Sequence, residues 1–186
     1  MVYDRAILNR QEEFPMNTME TILNRRSVRS YTEEKVCREK VEQLVNAGLH
    51  APTAMNRQTF QITVVEKPEL LAKLADAVKA AMNIQNVYNF YGAKTLFLLS
   101  DSADKELGQM DCACVAENIL LAAYDLELGA CWINQFRNTS DDPAVRALLT
   151  EAGVPAAHRV WLGIALGNPT EWPEAKERVA KVVYCE

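Results

Sequence analysis

The sequence predicts an α+β sandwich built around a central sheet, and three observations support this class. Helical patterns open the chain, and short apolar strands separated by further helices follow them. Hydrophobic residues make up 49% of the 186 residues, which is enough for a substantial core. No linker, repeat or low-complexity tract divides the chain. We therefore expect residues 1–186 to form one domain, with residues 1–16 as an unassigned N-terminal extension.

The N-terminal half predicts three helices and two strands. Asn17 followed by Glu20 resembles a capping box before a short helix. Its apolar stripe consists of Met19, Ile22 and Leu23. A second helical stripe, which ends before Pro52 because proline cannot continue a helix, consists of Cys37, Val41, Leu44, Val45 and Gly48. The rest of this half predicts a strand at 61–65, a helix over about 70–82 and a second strand at 95–100.

The C-terminal half predicts a long helix, a shorter helix and two or three strands. The pattern over about 108–128 is rich in small residues, which suits close packing at the centre of the fold, and Gly129 is expected to end it. Two segments are typical of strands, "CWIN" at 131–134 and "RVWLGIALG" at 159–167. A helix is predicted between these strands, with Pro143 near its start and Gly153 just past its end. "VVY" in the tail is predicted to be a short edge strand.

Composition excludes several classes of protein. The formal charge of -5 argues against a nucleic-acid partner, which requires a broad basic face. No apolar run approaches the roughly 18 residues of a membrane span, and the N-terminus lacks the apolar core of a secretion signal. Five scattered cysteines are not a disulfide framework, and residues two apart in a helix, such as Cys112 and Cys114, point to different faces. We therefore expect no metal site and a cytoplasmic protein with reduced thiols.

Two basic clusters are candidates for binding an anion. "NRRSVRSY" at 24–31 places Arg25, Arg26 and Arg29 around Ser27, and arginine forks match phosphate oxygens in bidentate geometry. The alternative for this stretch is a helix C-terminus, where cations suit the helix dipole. "EAKER" at 174–178 is the second cluster, and by itself it is typical of a solvated charge run. No Gly-rich phosphate loop follows any predicted strand, so side chains must hold an anion if one binds.

Two further segments suit a flat ligand. "APTAMNRQTF" at 51–60 combines small residues, which let a ligand approach the backbone, with amides that can read the edge of a ring. The alternative is an ordinary polar loop. "LGACWIN" at 128–134 is glycine-led and apolar, as expected of a buried strand.

Together these pieces resemble the nitroreductase family of FMN-dependent oxidoreductases. The resemblance extends from about residue 19 to residue 178 and rests on five segments in the family's order, namely "RRSVR", "APTAMNRQTF", "GAKTLFLL", "LGACWI" and "LGNPTEWPEAKER". It implies a three-layer α/β/α sandwich with a mostly antiparallel central sheet. It also implies an intertwined homodimer with FMN at the interface, in which the tail at 168–186 wraps the partner subunit.

The resemblance also implies the cofactor-binding residues. Arg25, Arg26, Ser27 and Arg29 correspond to the motif that contacts the phosphate and ribityl chain, and the last basic residue lies nearer the ring. The C-terminal pair that closes on the same phosphate is Lys176 and Arg178. The loop that reaches the flavin from the partner subunit contains Pro52, Thr53, Ala54 and Asn56. The segment lining the ring is Trp132, Ile133 and Asn134, and Asn86 corresponds to an asparagine that reads the pyrimidine edge.

The sequence departs from the family pattern at two places. The usual Gln-Pro-Trp reads Gln58-Thr59-Phe60 here, which loosens the loop but keeps an aromatic anchor. About ten residues separate the "TLFLLS" strand from the long helix, so the lid over the substrate is small.

The implied reaction is ping-pong hydride transfer. NADH or NADPH reduces FMN at N5 and leaves, and a nitroaromatic or quinone acceptor takes its place. No catalytic side chain is implied, since the flavin carries the chemistry. The alternatives are another flavin chemistry, such as ene reduction or dehalogenation, and a flavin carrier without useful turnover. A Ser-His-Asp hydrolase is a poor fit, because neither His50 nor His158 lies in a catalytic motif.

Overall fold

The computed structural model describes residues 17–186, and in this part the chain forms six α-helices and four strands. The helices are α1 (Thr18–Asn24), α2 (Arg38–Leu49), α3 (Pro68–Ala81), α4 (Gly108–Asp125), α5 (Phe136–Thr139) and α6 (Pro143–Glu151). The strands are β1 (Gln61–Val65), β2 (Thr95–Ser102), β3 (Gly129–Ile133) and β4 (His158–Gly167). Helix α5 and two short 3-10 turns, Ala54–Asn56 and Phe90–Gly92, were not predicted. The unassigned extension at 1–16 lies outside the described residues.

The four strands form one antiparallel sheet in the order β1-β2-β4-β3. Side chains of β2 alternate between its faces, so Leu96 and Leu98 join one core cluster and Phe97 and Leu99 join the other. Helices α3, α5 and α6 contribute to the first cluster, and α2 and α4 contribute to the second. The predicted α+β class with an antiparallel sheet is therefore confirmed. Among the described residues, no helix combines the length and the apolar content that crossing a bilayer requires.

Helix α4 lies at the centre of the second cluster, as its small residues predicted. Ala116, Ile119 and Ala123 are fully buried. A Cβ added to Gly48 of α2 would lie 3.0 Å from the Ile119 side chain, so the two helices approach closely. Cys112 is buried while Cys114 is exposed, which matches the expectation that they point to different faces. The connection from β2 to α4 is residues 103–107, which is shorter than the ten residues expected, and β2 continues two residues beyond its predicted end, to Ser102.

Helix α1 begins as predicted, and the residue it buries does not belong to its apolar stripe. The Asn17 side chain accepts a hydrogen bond of 2.9 Å from the Glu20 backbone N–H, which caps the helix. Thr21 is the buried residue, whereas Met19 and Leu23 of the predicted apolar stripe are 60% and 63% exposed. The apolar stripe of α1 therefore lies on the solvent side of the helix in the single chain.

The segment after α1 docks on the outer edge of β3. The Val28 N–H donates to the Ala130 carbonyl at 3.0 Å, and Ser27 pairs with Ala130 as an isolated parallel bridge. Val28 is buried, and the Tyr31 hydroxyl donates to the Val28 carbonyl at 2.7 Å. These contacts hold the "RRSVRSY" stretch against the sheet.

Gly129 is the first residue of β3 and does not end α4, contrary to the prediction. Helix α4 ends at Asp125, and the chain reverses at Glu127, whose φ is 59°. A Cβ at Gly129 would lie 2.8 Å from Val28 Cγ1, closer than real side chains approach. A glycine is required here because the docked segment leaves no room for a side chain.

The tail beyond β4 leaves the sheet. Within residues 171–186 the structure contains no helix or strand, so the edge strand expected at "VVY" does not form in the single chain. The Trp172 ring packs edge-on against Tyr124 of α4, at 5.0 Å between centroids. Further along, Val182, Val183 and Tyr184 are exposed. A strand needs a neighbouring backbone to satisfy its N–H and C=O groups, and among residues 17–186 the end of the tail has none.

Replacing Gly129 by alanine tests whether Val28 determines this glycine. The new methyl group would overlap Val28, so we expect Gly129→Ala to lower the free energy of unfolding by about 1–3 kcal/mol, the range for overpacking. Urea denaturation measures the change. Val28→Gly removes both the Cγ1 and the Cβ that the new methyl group would meet, at 2.8 and 2.9 Å, so the loss in the double variant should be smaller than the sum of the two single losses. Strictly additive losses would contradict this explanation.

Candidate active site

The structure brings the two basic clusters of the sequence into one depression. Its volume is about 210 Å³, and it is lined by Arg25, Arg26, Ser27, Arg29, Pro173, Glu174, Lys176 and Arg178. Among the described residues, five cations and a single carboxylate therefore surround it, on a chain whose formal charge is -5. We call it the basic depression.

Hydrogen bonds between the two segments explain why the clusters meet. The Thr32 N–H donates to the Asn168 carbonyl at 2.9 Å, and the Thr170 N–H donates to the Ser30 carbonyl at 3.2 Å. The Thr170 and Ser30 hydroxyls lie 2.7 Å apart. The chain leaving β4 is thereby fixed alongside the docked "RRSVRSY" stretch. The residues that follow include Lys176 and Arg178, which therefore lie beside the arginines.

The three arginines have different surroundings. Arg25 lies 3.9 Å from Glu117 of α4, an ion pair that solvent weakens because the Glu117 side chain is half exposed. Arg26 donates to the Leu23 and Arg25 carbonyls at 2.8 and 2.9 Å, so it does occupy the helix C-terminus that the alternative interpretation described. Arg29 is exposed and donates to the Ser27 carbonyl at 3.3 Å. Its guanidinium carbon lies 5.7 Å from the centre of the Tyr91 ring.

The C-terminal pair is exposed. Within residues 17–186, neither Lys176 nor Arg178 forms an ion pair with a carboxylate. Both cations are therefore available to a ligand anion that enters the depression.

The predicted ring-lining segment lies at the end of β3 and does not line the depression. Ile133 is buried in the core, so only its backbone could meet a ligand. Trp132 is half-buried, and its indole N–H donates to the Asn134 side chain at 3.4 Å. Because the Ala130 carbonyl points to the outer edge and alternate residues direct their backbone groups to the same side, the Trp132 N–H points to that open edge.

Asn86 also lies away from the depression. It is exposed in the connection between α3 and the Phe90–Gly92 turn. That connection leads into the turn that contains Tyr91, which contacts Arg29. Asn86 itself is not among the residues that line the depression.

In the single chain, the loop at 51–60 lies apart from the basic depression. Pro52, Thr53, Ala54 and Asn56 do not line the basic depression, and Ala54 lines a different cavity of about 340 Å³ beside the start of α4. Met55, Asn56 and Gln58 all have φ near 52°, in the left-handed region that non-glycine residues rarely adopt. Such strain is held only where the surroundings fix the backbone.

Two buried aspartates fix this loop, and the sequence did not single them out. The Ala54 N–H donates to Asp111 Oδ1 at 2.9 Å, and the Thr59 hydroxyl donates to Asp101 Oδ2 at 3.1 Å. Both carboxyl groups are almost completely shielded from solvent. Their positions carry a signal, since Asp101 follows the apolar run of β2 and Asp111 lies between Met110 and Cys112 at the start of α4.

The arrangement suits binding rather than acid–base or nucleophilic chemistry. Burial raises the pKa of the thiol of Cys131 in β3, although the positive charges of Arg29 and Arg25 act to lower this pKa. Ser100 contacts His158 at 3.2 Å, but Ser100 is fully buried and cannot meet a substrate. In the described part of the chain, no three His, Cys, Asp or Glu side chains are grouped to hold a metal ion. What the site offers is an anion cradle beside an open strand edge.

Comparisons with known proteins agree on one family. A sequence model described as the nitroreductase family matches residues 22–168. A Vibrio harveyi protein named NADPH-flavin oxidoreductase is 31% identical, covering 91% of this chain and 73% of the relative. A Bacillus subtilis protein named FMN reductase (NADPH) is 29% identical over the same shares. The crystal structure of a Bacteroides fragilis nitroreductase with bound FMN superposes with a TM-score of 0.85 at 35% identity, covering 92% of this chain and 100% of that one.

Asp111 provides a test of how the loop at 51–60 is held. Asp111→Ala removes the acceptor of the Ala54 N–H, and we expect a loss of about 1–3 kcal/mol in the free energy of unfolding. Asp111→Asn is the matched control, since its side-chain oxygen can still accept the bond. Amide hydrogen exchange at Ala54 should be faster in the alanine variant only. Equal exchange in both variants would contradict the role given to this bond.

Proposed function

Because the chain belongs to the nitroreductase family, we propose that it is an FMN-dependent oxidoreductase that uses NADH or NADPH to reduce small electron-poor acceptors, such as nitroaromatics and quinones. The chain is an oxidoreductase of this family, and FMN is its cofactor. The observation that carries the proposal is the meeting of both basic clusters in one depression.

The residues of the basic depression fit the phosphate of FMN. A phosphate group carries about -1.5 to -2 charges at neutral pH, and charge-assisted bonds to guanidinium groups are the strongest that side chains offer it. Arg25, Arg26, Lys176 and Arg178 would hold this group, with the Ser27 hydroxyl as a further donor. A chain that lacks a Gly-rich loop requires such a side-chain cradle.

Other residues of the chain would orient the ring. We propose that the Trp132 N–H at the open edge of β3 and the Arg29 guanidinium donate to it, with Ile133 and Asn134 alongside and Asn86 at its pyrimidine edge. FMN supplies the redox chemistry when bound, accepting two electrons from the nicotinamide and passing them to the acceptor. The protein's part is to bind, orient and shield, so no catalytic side chain is required.

We also propose that the working protein is a homodimer with the predicted three-layer architecture. The division of the core into two clusters, one on each side of β2, supports the layers. The exposed stripe of α1 supports an interface, because apolar side chains rarely gather on a free surface. In this dimer, the loop carrying Pro52, Thr53, Ala54 and Asn56 would complete the partner's flavin site, which explains its distance from the basic depression.

The tail has a suitable place on a partner subunit. Strand β1 is the other outer edge of the sheet, so one side of its backbone has no strand beside it in the described part of the chain. A cavity of about 370 Å³ with an apolar wall of Val41, Val45, Leu49 and Val64 lies next to it. The exposed Val182, Val183 and Tyr184 have high β-propensity and match such an edge. A cytoplasmic location stays a prediction from the cysteine usage.

Turnover with and without FMN tests the proposed function. We expect the full chain with FMN to oxidise NADH or NADPH faster when a quinone is present, with parallel double-reciprocal lines because donor and acceptor use one site in turn. Arg25→Ala removes a charge-assisted bond of about 1.5–3 kcal/mol, so it should weaken FMN binding about 10- to 100-fold. Lys73→Ala, which removes an exposed charge on α3, is the control.

The alternatives give different results in the same assay. Binding of FMN without oxidation of either nicotinamide would favour a flavin carrier over an enzyme. Equal FMN affinity of the wild type and Arg25→Ala would contradict the assignment of the phosphate to the basic depression.

Truncation of the tail tests the homodimer. We expect light scattering coupled to size exclusion to give a molar mass for the full chain of twice its 20.9 kDa. A chain ending at Arg178 keeps both phosphate cations but loses the exposed apolar residues of the tail, so it should dimerise and hold FMN less well. A chain ending at Tyr184 is the control and should behave as the wild type. A monomer that still binds FMN tightly would refute the shared site.

A further inference from the structure

A strained turn precedes β2 and lies against the candidate site. Phe90, Tyr91 and Gly92 follow one another with φ of 52°, 61° and 77°, all in the left-handed region. Glycine adopts this conformation freely, but aromatic residues do not, and two in succession require strong support from their surroundings. The family resemblance drew attention to the strand that follows, not to Tyr91.

Phe90 supplies that support. It is 1% exposed, stacks on Phe136 at 5.7 Å between ring centres and meets the Tyr88 ring edge-on at 5.2 Å. With Phe90 fixed in the core, the turn directs the next side chain outward. Tyr91 is consequently 38% exposed, and its ring lies beneath the Arg29 guanidinium.

Arg29 depends on this ring for its position. Its one hydrogen bond to a protein carbonyl, at 3.3 Å to Ser27, is long, and the side chain is otherwise exposed within the described structure. A cation within about 6 Å of a ring centre is attracted by the ring's π-face.

Resting on the proposed FMN site, we propose that Tyr91 is a positioning residue that holds the Arg29 guanidinium ready for the flavin. The turn stores backbone strain to place the ring, and the ring restricts the rotamers of a long side chain before the ligand arrives. Affinity improves when a binding group is ordered in advance, because less conformational entropy is lost on binding. Tyr91 touches Arg29 and acts through it.

The first test measures the order of Arg29 directly. Nitrogen-15 relaxation of the Arg29 Nε–H group in the purified full chain without flavin should show a restricted side chain in the wild type. Tyr91→Phe keeps the aromatic face and should leave this order largely intact. Tyr91→Leu keeps a side chain of similar bulk without the face and should make the group mobile. Equal mobility of Arg29 in the wild type and Tyr91→Leu would overturn the proposal.

The second test measures FMN affinity in a double-mutant cycle. A cation–π contact at an exposed site corresponds to about a two- to fivefold change in affinity. We expect Tyr91→Leu to weaken FMN binding by about that factor and Tyr91→Phe to restore it to within about twofold. In an Arg29→Ala background, Tyr91→Leu should have no further effect, since the group it positions is gone. An equal loss in both backgrounds would show that Tyr91 does not act through Arg29.

The two tests separate failure of this inference from failure of the proposed function. If the wild type bound no FMN, the proposed function would be overturned. A restricted Arg29 that became mobile in Tyr91→Leu would still support the positioning role on its own. Thermal unfolding of each variant accompanies both tests, and Tyr91→Phe guards against loss of the fold because it preserves the packing of the ring.

Discussion

The contact between the chain after α1 and the outer edge of β3 is the constraint on which the candidate site depends. Val28 enters the core beside Gly129, and its N–H completes a hydrogen bond to Ala130. Because neighbouring residues of an extended segment point to opposite sides, burying Val28 turns Ser27 and Arg29 outward. Without this contact the arginines would be a mobile helix end. With it they become one wall of a depression.

Repulsion between the cations of its two walls makes the basic depression a favourable place for an anion. Five cations around one depression repel each other at distances where salt screens only partly, since the Debye length is about 8 Å at physiological ionic strength. Glu117 and the carbonyl groups at the end of α1 relieve this repulsion for Arg25 and Arg26. Lys176 and Arg178 have no such relief within the described residues, so a bound anion would gain most from them. A chain that is acidic overall thus concentrates its positive field at one place.

Local patterns predicted most of the fold, and tertiary contacts account for what they missed. Helices α2, α3, α4 and α6 and all four strands lie where periodicity placed them. Gly129 was misjudged because a glycine required by a distant side chain looks the same in sequence as one that ends a helix. What the apolar stripe of α1 packs against could not be predicted, because a stripe that faces a core and one that faces an interface have the same sequence pattern. The loop at 51–60 was identified, but the aspartates that hold it were not, since their partners are 42 to 57 residues away.

The tail links the two proposals. Residues 173–178 line the basic depression, and the exposed apolar residues of 179–184 follow with no linker between them. Whatever fixes Val182 and Tyr184 therefore also restricts Lys176 and Arg178, whose ordering otherwise costs conformational entropy when a ligand binds. A partner subunit that covers the end of the tail would prepare the phosphate cations in the same way that the Tyr91 ring prepares Arg29. Dimerisation and flavin affinity are then coupled through one segment, because by linkage a ligand that orders the tail must also favour the dimer.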